Sequence, residues 1–226
     1  MKLGLKSPDL GLPPMNWFGL VAGVLVLVLP FLGPWWIGRA GTGAMEIALS
    51  PFDVTVSLMG QPVQSSLVGL FLLAAKITFV IAGTFMILSS LFPKRWWSKR
   101  LFKFGVMKPF WSVVSLLIVL VVGSLIFNYA LPGLLSGAFS GAGAGNAVVQ
   151  INMPYISGTS VSTIQIGSNA TITAPITLSL TGIFWLAVAT AILGIIARIY
   201  HRTLVRPEKL VLRPTERKII AVKPTK

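Results

Sequence analysis

The stretch 93–109, PKRWWSKRLFKFGVMKP, decides how the rest of the chain is arranged. It holds six Lys and Arg residues and no acidic residue, and a long apolar run lies on each side of it. Short loops that are rich in Lys and Arg stay on the cytoplasmic side of a membrane. The stretch therefore predicts a cytoplasmic loop between two membrane-spanning helices.

Aromatic residues are interleaved with these cations, which is typical of a segment that lies among lipid headgroups. The residues that we expect to contact headgroups are Lys94, Arg95, Trp96, Trp97, Lys99, Arg100 and Lys103. A basic and aromatic segment can also bind nucleic acid. Its position between two apolar runs favours anionic lipid as the partner, so we predict no nucleic-acid partner.

The composition places the chain among membrane proteins. Of its 226 residues 54% are hydrophobic and 11% are charged, whereas soluble proteins average about 25% charged residues. The absence of cysteine excludes disulfides and thiolate metal sites. A single histidine, His201, excludes the paired axial ligands of a membrane cytochrome. We therefore predict no metal and no cofactor.

The fold class that the sequence predicts is an α-helical integral membrane protein, in which a four-helix transmembrane bundle carries a small extracytoplasmic β-sheet. The predicted spans are residues 16–37, 65–92, 110–131 and 180–200. Seventeen of the 19 cations fall on one side of this arrangement, and Arg39 alone falls on the other. This asymmetry predicts a plasma-membrane protein whose termini, residues 1–15 and 201–226, are both cytoplasmic.

The sheet is predicted from the two outer loops, residues 38–64 and 132–179. Apolar and polar residues alternate there with the period of two that is typical of strands. The predicted strands are residues 44–49, 52–59, 148–153, 161–166 and 170–178. Pro175 predicts an edge strand or a bulge, because proline cannot donate a ladder hydrogen bond.

Gly19 and Gly23 form a GxxxG pair in the first span. Such a pair lets the backbone of another helix approach closely, so we predict that these two glycines lie at a helix-packing face.

Apart from Arg198, at the cytoplasmic exit of the fourth span, Lys76 is the one charged residue within the predicted spans. It lies about a turn below the predicted outer edge of the membrane, where a lysine can extend toward the headgroups. The alternative is a functional lysine that faces an anion path or the carboxylate of a partner.

Asn169 begins the sequence Asn-Ala-Thr, which is an N-glycosylation sequon. It lies in the second outer loop, on the side where glycosylation takes place. We therefore expect Asn169 to be a candidate glycosylation site.

The topology resembles the claudin-like tetraspan architecture, in which an extracellular sheet lies on a four-helix bundle. The resemblance covers the four spans, the cytoplasmic termini, a tryptophan-bearing first outer loop and the strands of both outer loops; Pro34-Trp35-Trp36 stands in place of that family's Gly-Leu-Trp run, and the family's pair of cysteines is absent. It implies roles in adhesion, paracellular sealing or attendance on a larger membrane complex. It assigns no functional residue.

No catalytic constellation is present in the sequence. The outer loops contain two acidic residues, Glu46 and Asp53, and the predicted spans contain no His, Asp or Glu. We expect a non-enzymatic structural or accessory subunit of a larger membrane assembly, which contacts other membrane subunits through the sheet and the basic tail. The alternatives are an anion channel or transporter that uses Lys76, and a cell-surface adhesion protein.

Overall fold

The computed structural model describes residues 15–63, 66–141, 147–166 and 170–204. The helices of these parts are α1 Trp17–Val28, α2 Ser66–Leu91, α3 Ser98–Leu125, α4 Leu131–Gly141 and α5 Gly182–Leu204. A 3-10 turn, Leu29–Phe31, follows α1, and a π-helical segment, Ile126–Ala130, joins α3 to α4. The strands are β1 Trp36–Ala40, β2 Met45–Leu49, β3 Val54–Leu58, β4 Gln61–Val63, β5 Ala147–Gln150, β6 Gly158–Ile166 and β7 Ala170–Leu180.

Four helices form the helical layer. Helix α1 packs on α2 and α5, and α3 packs on the same two helices, so that the four close into a ring. Within the described residues, three helices are long and apolar enough to cross a membrane: α2, α5 and the continuous helix from Ser98 to Gly137.

The first predicted span, residues 16–37, is shorter in the structure. Its helical part is Trp17–Phe31, because Pro30 provides no backbone N–H and the helix closes there in a 3-10 turn. Trp36 and Ile37, which the prediction gave to the helix, belong to β1. The prediction of four full-length spans is therefore replaced by three long helices and one short one.

The predicted loop 93–109 is mostly helical, because α3 begins at Ser98. The buried residues of its helical part are Ser98, Phe102, Gly105, Val106 and Pro109, and they recur at the spacing of three to four residues that defines one helix face. The cations lie between these positions and hide the repeat in the sequence. The connection from α2 to α3 is therefore limited to residues 92–97.

The third predicted span, residues 110–131, does not end at Pro132. The π-helical segment Ile126–Ala130 precedes that proline, and α4 continues the helix to Gly141. In a π-helical segment the backbone hydrogen bonds do not follow the regular i to i−4 pattern of an α-helix. Pro132 has no N–H, but at the start of α4 it therefore removes no regular backbone hydrogen bond.

The sheet is antiparallel, and its strand order is β4-β3-β2-β1-β7-β6-β5. Strand β1 joins the two predicted loops because it pairs with β2 on one side and with β7 on the other. The sequence predicted about five strands and missed β1 and β4. Of the others, β2, β3, β5, β6 and β7 lie within a few residues of the strands predicted from alternation.

Pro175 does not mark an edge strand, since β7 lies between β1 and β6. Strand β1 ends at Ala40, and the carbonyl of Pro175 accepts a hydrogen bond from the N–H of Gly41 just beyond that end (2.8 Å). Pro175 therefore lies just beyond the last residue pair of β1 and β7, and its missing N–H removes no hydrogen bond between these two strands.

Aromatic residues join the sheet to the helices. Trp35 and Phe52 are buried with their ring centroids 5.7 Å apart, and Phe52 lies 4.5 Å from the ring of Phe79 in α2. The next residue, Trp36, donates from Nε1 to the carbonyl of Ile156 (2.8 Å). One continuous apolar core therefore runs from the sheet into the bundle.

Candidate functional site

The cations gather at one end of the bundle, which we call the basic end. It comprises the 92–97 connection, the first turns of α3 and the last turns of α5. The residues predicted to contact headgroups all lie here: Lys94, Arg95, Trp96, Lys99, Arg100 and Lys103 are exposed, and Trp97 is half-buried. Trp96 has 81% of its surface exposed, so its ring projects away from the protein.

A groove on α3 extends the basic end toward the middle of the bundle. It is an open space of about 560 Å³, and we call it the α3 groove. Its lining residues are Arg100, Lys103, Phe104, Met107, Lys108 and Trp111. At 100° per residue these six side chains fall within an arc of about 140° on one helix face. Of these six residues, Arg100 and Lys103 were among those predicted from the sequence to contact headgroups.

The groove has an apolar floor and charged rims. Phe104, Met107 and Trp111 lie in the middle of the arc, while Lys103 and Lys108 lie on opposite sides of it. The Lys108 ammonium lies 4.8 Å from the centre of the Phe104 ring. In α5, Arg198 places its guanidinium 3.8 Å from the sulfur of Met107.

Buried polar side chains lock the helices together at the basic end. Asn16 is fully buried, and its amide nitrogen donates to the carbonyl of Ala197 in α5 (3.0 Å). Its carbonyl oxygen accepts the N–H of Gly19 and caps α1, and its own backbone N–H donates to the carbonyl of Ser90 in α2. One asparagine therefore ties α1, α2 and α5, which the sequence did not indicate.

His201 is the second member of this buried cluster. The Ser98 hydroxyl donates to the carbonyl of Ser89 (3.0 Å) and lies 3.1 Å from Nε2 of His201. Because the hydroxyl has one proton and donates it to Ser89, it can only accept from the imidazole. The imidazole therefore carries a proton on Nε2. The buried Nδ1 has no hydrogen-bond acceptor among the described residues, so a proton there would be unpaired, and this arrangement assigns a neutral His201.

Lys76 lies half-buried in α2. Within the described residues it makes no hydrogen bond and no ion pair. The acidic residues of the described parts are Glu46 and Asp53, and Glu46 pairs with Arg39 at 3.3 Å. The structure therefore does not bring an acidic residue of the described chain to Lys76.

The first turns of α2 are exposed on every face of the helix. All six residues from 66 to 71 are exposed, and a Cβ built at Gly69 would meet nothing within 4 Å. Leu67, Leu70 and Phe71 expose 70%, 64% and 79% of their surfaces. With Ala74 they follow the i, i+3, i+4, i+7 spacing of a single helix face. We call these four residues the α2 stripe.

Strands β6 and β7 form a hairpin that extends past the end of β1. Residues 170–175 of β7 pair with β6 and, within the described residues, with no second strand. No charged residue occurs in the described part of this hairpin, and Val161 and Ile172 are exposed. An uncharged surface of this kind suits contact with another protein or with headgroups more than it suits bulk water.

The pocket under the sheet is small. It encloses about 70 Å³ and is lined mainly by apolar side chains, among them Trp36, Phe127, Met153 and Leu178. A dry cavity that holds benzene measures about 150 Å³. The pocket is therefore a packing defect between the sheet and the π-helical segment more than a substrate site.

The remaining predicted positions fall in two groups. Gly19 and Gly23 face α2: a Cβ at Gly19 would overlap the Ser90 hydroxyl, and one at Gly23 would lie 2.9 Å from Ile87. Asn169, the N-terminus and the tail beyond residue 204 lie outside the described residues. In the described parts of the chain, no cluster of three or more His, Asp or Glu side chains could hold a metal ion.

No family model, curated protein or solved structure matches this chain. Its class is therefore defined by its own features, which are three helices long and apolar enough to cross a membrane and an antiparallel seven-stranded sheet.

Proposed function

We propose that this chain is a non-enzymatic accessory subunit of a larger membrane protein assembly. It is inserted in the plasma membrane with the basic end in the cytoplasm and the sheet outside. The cation asymmetry of the sequence supports this orientation, because Lys and Arg remain on the cytoplasmic side. The proposed architecture is claudin-like: a sheet built from the segments between α1 and α2 and between α4 and α5, on a bundle of four helices.

The main observation that supports this proposal is the exposure of the first turns of α2. A helix of 26 residues is about 39 Å long, whereas the hydrocarbon core of a bilayer is about 30 Å thick. With the end of α2 at the cytoplasmic surface, lipid covers about the last 20 residues. Residues 66–71 then project beyond the hydrocarbon, with Leu67, Leu70 and Phe71 uncovered.

An apolar stripe in that position needs a protein partner. Burying one leucine or phenylalanine side chain contributes about 1.5–3 kcal/mol, so leaving three in water forgoes several kcal/mol. The spacing of the α2 stripe fits a helix of another subunit laid along it. The uncharged β6–β7 hairpin supplies a second surface of the same character.

Purification of the full chain from its native membrane in a mild detergent tests this proposal. We expect the chain to elute with at least one further protein and as a particle heavier than one 24.2 kDa chain with its detergent. The double variant Leu67→Gln/Phe71→Gln should reduce the co-purifying protein at least tenfold, because polar side chains remove the stripe.

The control is Leu134→Gln on α4, since Leu134 is 69% exposed and Leu67 is 70% exposed. This control should retain the partner. Migration of the wild-type chain alone, or equal loss in both variants, contradicts the proposed interface.

A second candidate function, an anion channel or transporter, is favoured by Lys76, which is half-buried without an acidic neighbour in the described chain. A half-buried ammonium without an acidic neighbour attracts anions. In reconstituted liposomes this function predicts that Lys76→Met lowers anion flux at least tenfold, while Lys94→Met at the exposed connection does not. Unchanged flux in Lys76→Met removes this candidate.

A further inference from the structure

The α3 groove combines three cations with an aromatic floor, and nothing in the described chain neutralises it. Arg100, Lys103 and Lys108 line it, and the described acidic residues, Glu46 and Asp53, lie in the sheet region. A phosphate at the groove would meet donors from several directions. The floor of Phe104, Met107 and Trp111 would meet an apolar chain.

The groove also lies at the right depth for a lipid. Lys108 comes ten residues after the start of α3, so its Cα is about 15 Å along the helix from Ser98. Side chains on a helix lean toward its N-terminus, which for α3 is the basic end. The Lys108 ammonium shows this directly, because it reaches back one turn to lie over the Phe104 ring. The cations are therefore directed toward the headgroup layer, and Trp111 lies deeper.

We infer that the α3 groove binds one anionic phospholipid from the leaflet at the basic end. Its phosphate lies between Arg100, Lys103 and Lys108, and one acyl chain follows Phe104, Met107 and Trp111. This site differs from general headgroup attraction, because cations flank an apolar floor on a single helix face. The inference rests on the membrane insertion described above, but not on the accessory role.

Native mass spectrometry of the delipidated full chain in detergent tests the site. Phosphatidylglycerol and phosphatidylcholine are added in separate titrations. We expect the wild type to retain one phosphatidylglycerol with at least tenfold higher affinity than phosphatidylcholine. The variant Lys103→Gln/Lys108→Gln should lose at least tenfold in phosphatidylglycerol affinity.

The control is Arg202→Gln, which removes one charge from an exposed position of the basic end that lies outside the groove and outside the residues predicted to contact headgroups. It should change the affinity less than about threefold, whereas the single variant Lys103→Gln should lower it by more than that. Equal losses in these two single variants would show diffuse attraction and overturn the site. Equal retention of both lipids by the wild type would overturn it as well.

Two further arms separate the remaining outcomes. Glycerol phosphate should not displace the lipid, since it lacks the acyl chain. Displacement at equal concentration would indicate a soluble phosphate ligand and overturn the lipid assignment.

Extraction of cell membranes with alkaline carbonate reports whether the chain is inserted in the membrane. A chain that stays in the membrane but binds no phosphatidylglycerol contradicts the lipid site alone, whereas release by carbonate contradicts both the site and the proposed membrane insertion.

Discussion

The imidazole of His201 lies parallel to the ring of Phe102, with the ring centroids 4.5 Å apart and an angle of 2° between the planes. This stack joins the last turn of α5 to the start of α3. Through Ser98, the same imidazole is linked to the carbonyl of Ser89 near the end of α2. His201, which the sequence placed at the start of the cytoplasmic tail, therefore connects three helices.

Replacing His201 by alanine should destabilise the bundle. The variant His201→Ala loses a buried stack and a hydrogen bond and leaves a cavity, which together cost about 2–3 kcal/mol. For a chain of this size, we expect the apparent melting temperature in detergent to fall by roughly 4–10 °C. Arg202→Ala is the control, because Arg202 is adjacent and exposed. Equal melting temperatures for His201→Ala and the wild type would contradict the structural role of the stack.

The close approach of α1 to α2 should tolerate no side chain at Gly19. A Cβ there would overlap the Ser90 hydroxyl and lie 2.6 Å from the Phe102 ring. Overpacking of this kind costs about 1–3 kcal/mol, so Gly19→Ala should lower the melting temperature by several degrees. Gly69→Ala is the control, since its Cβ would enter open space. A Gly19→Ala variant as stable as Gly69→Ala would show that the two helices are farther apart than described.

Asn128 should hold the segment between β5 and β6 against the π-helical segment that follows α3. Its side-chain amide donates to the carbonyl of Met153 (2.8 Å), and its oxygen accepts the N–H of the same residue (2.6 Å). Asn128→Leu removes the partner of the Met153 amide, and we expect that amide to exchange with deuterium about tenfold faster. Ser115→Ala is the control, because the Ser115 hydroxyl bonds only within its own helix. Unchanged exchange at Met153 would mean that the segment is held elsewhere.

The sequence indicated most of the helices and strands because their periods are local. Alternation located β2 and β3, and apolar length located α2 and α5. Strand β1 was missed because Trp36–Ala40 continues the apolar run of the first helix and contains Gly38. The start of α3 was missed because Lys99, Arg100 and Lys103 take exposed positions of its first turns, around buried Ser98 and Phe102.

The site residues were harder to predict, since they meet only in three dimensions. Asn16, Ser98 and His201 are far apart in the chain and none carries a motif. The α3 groove had a signal that sequence reasoning could have used. Once 98–111 is drawn as a helix, Lys108 and Trp111 fall on the same face as Arg100.

The orientation of the chain can be measured directly, because the protein contains no cysteine and single substitutions give unambiguous labels. Thr173→Cys marks the exposed β6–β7 hairpin, and Trp96→Cys marks the exposed basic end. Intact cells are treated with a membrane-impermeant maleimide before and after permeabilisation. The account predicts that Thr173→Cys is labelled in intact cells and that Trp96→Cys is labelled only after permeabilisation. The reverse pattern, or labelling of both variants in intact cells, would contradict it.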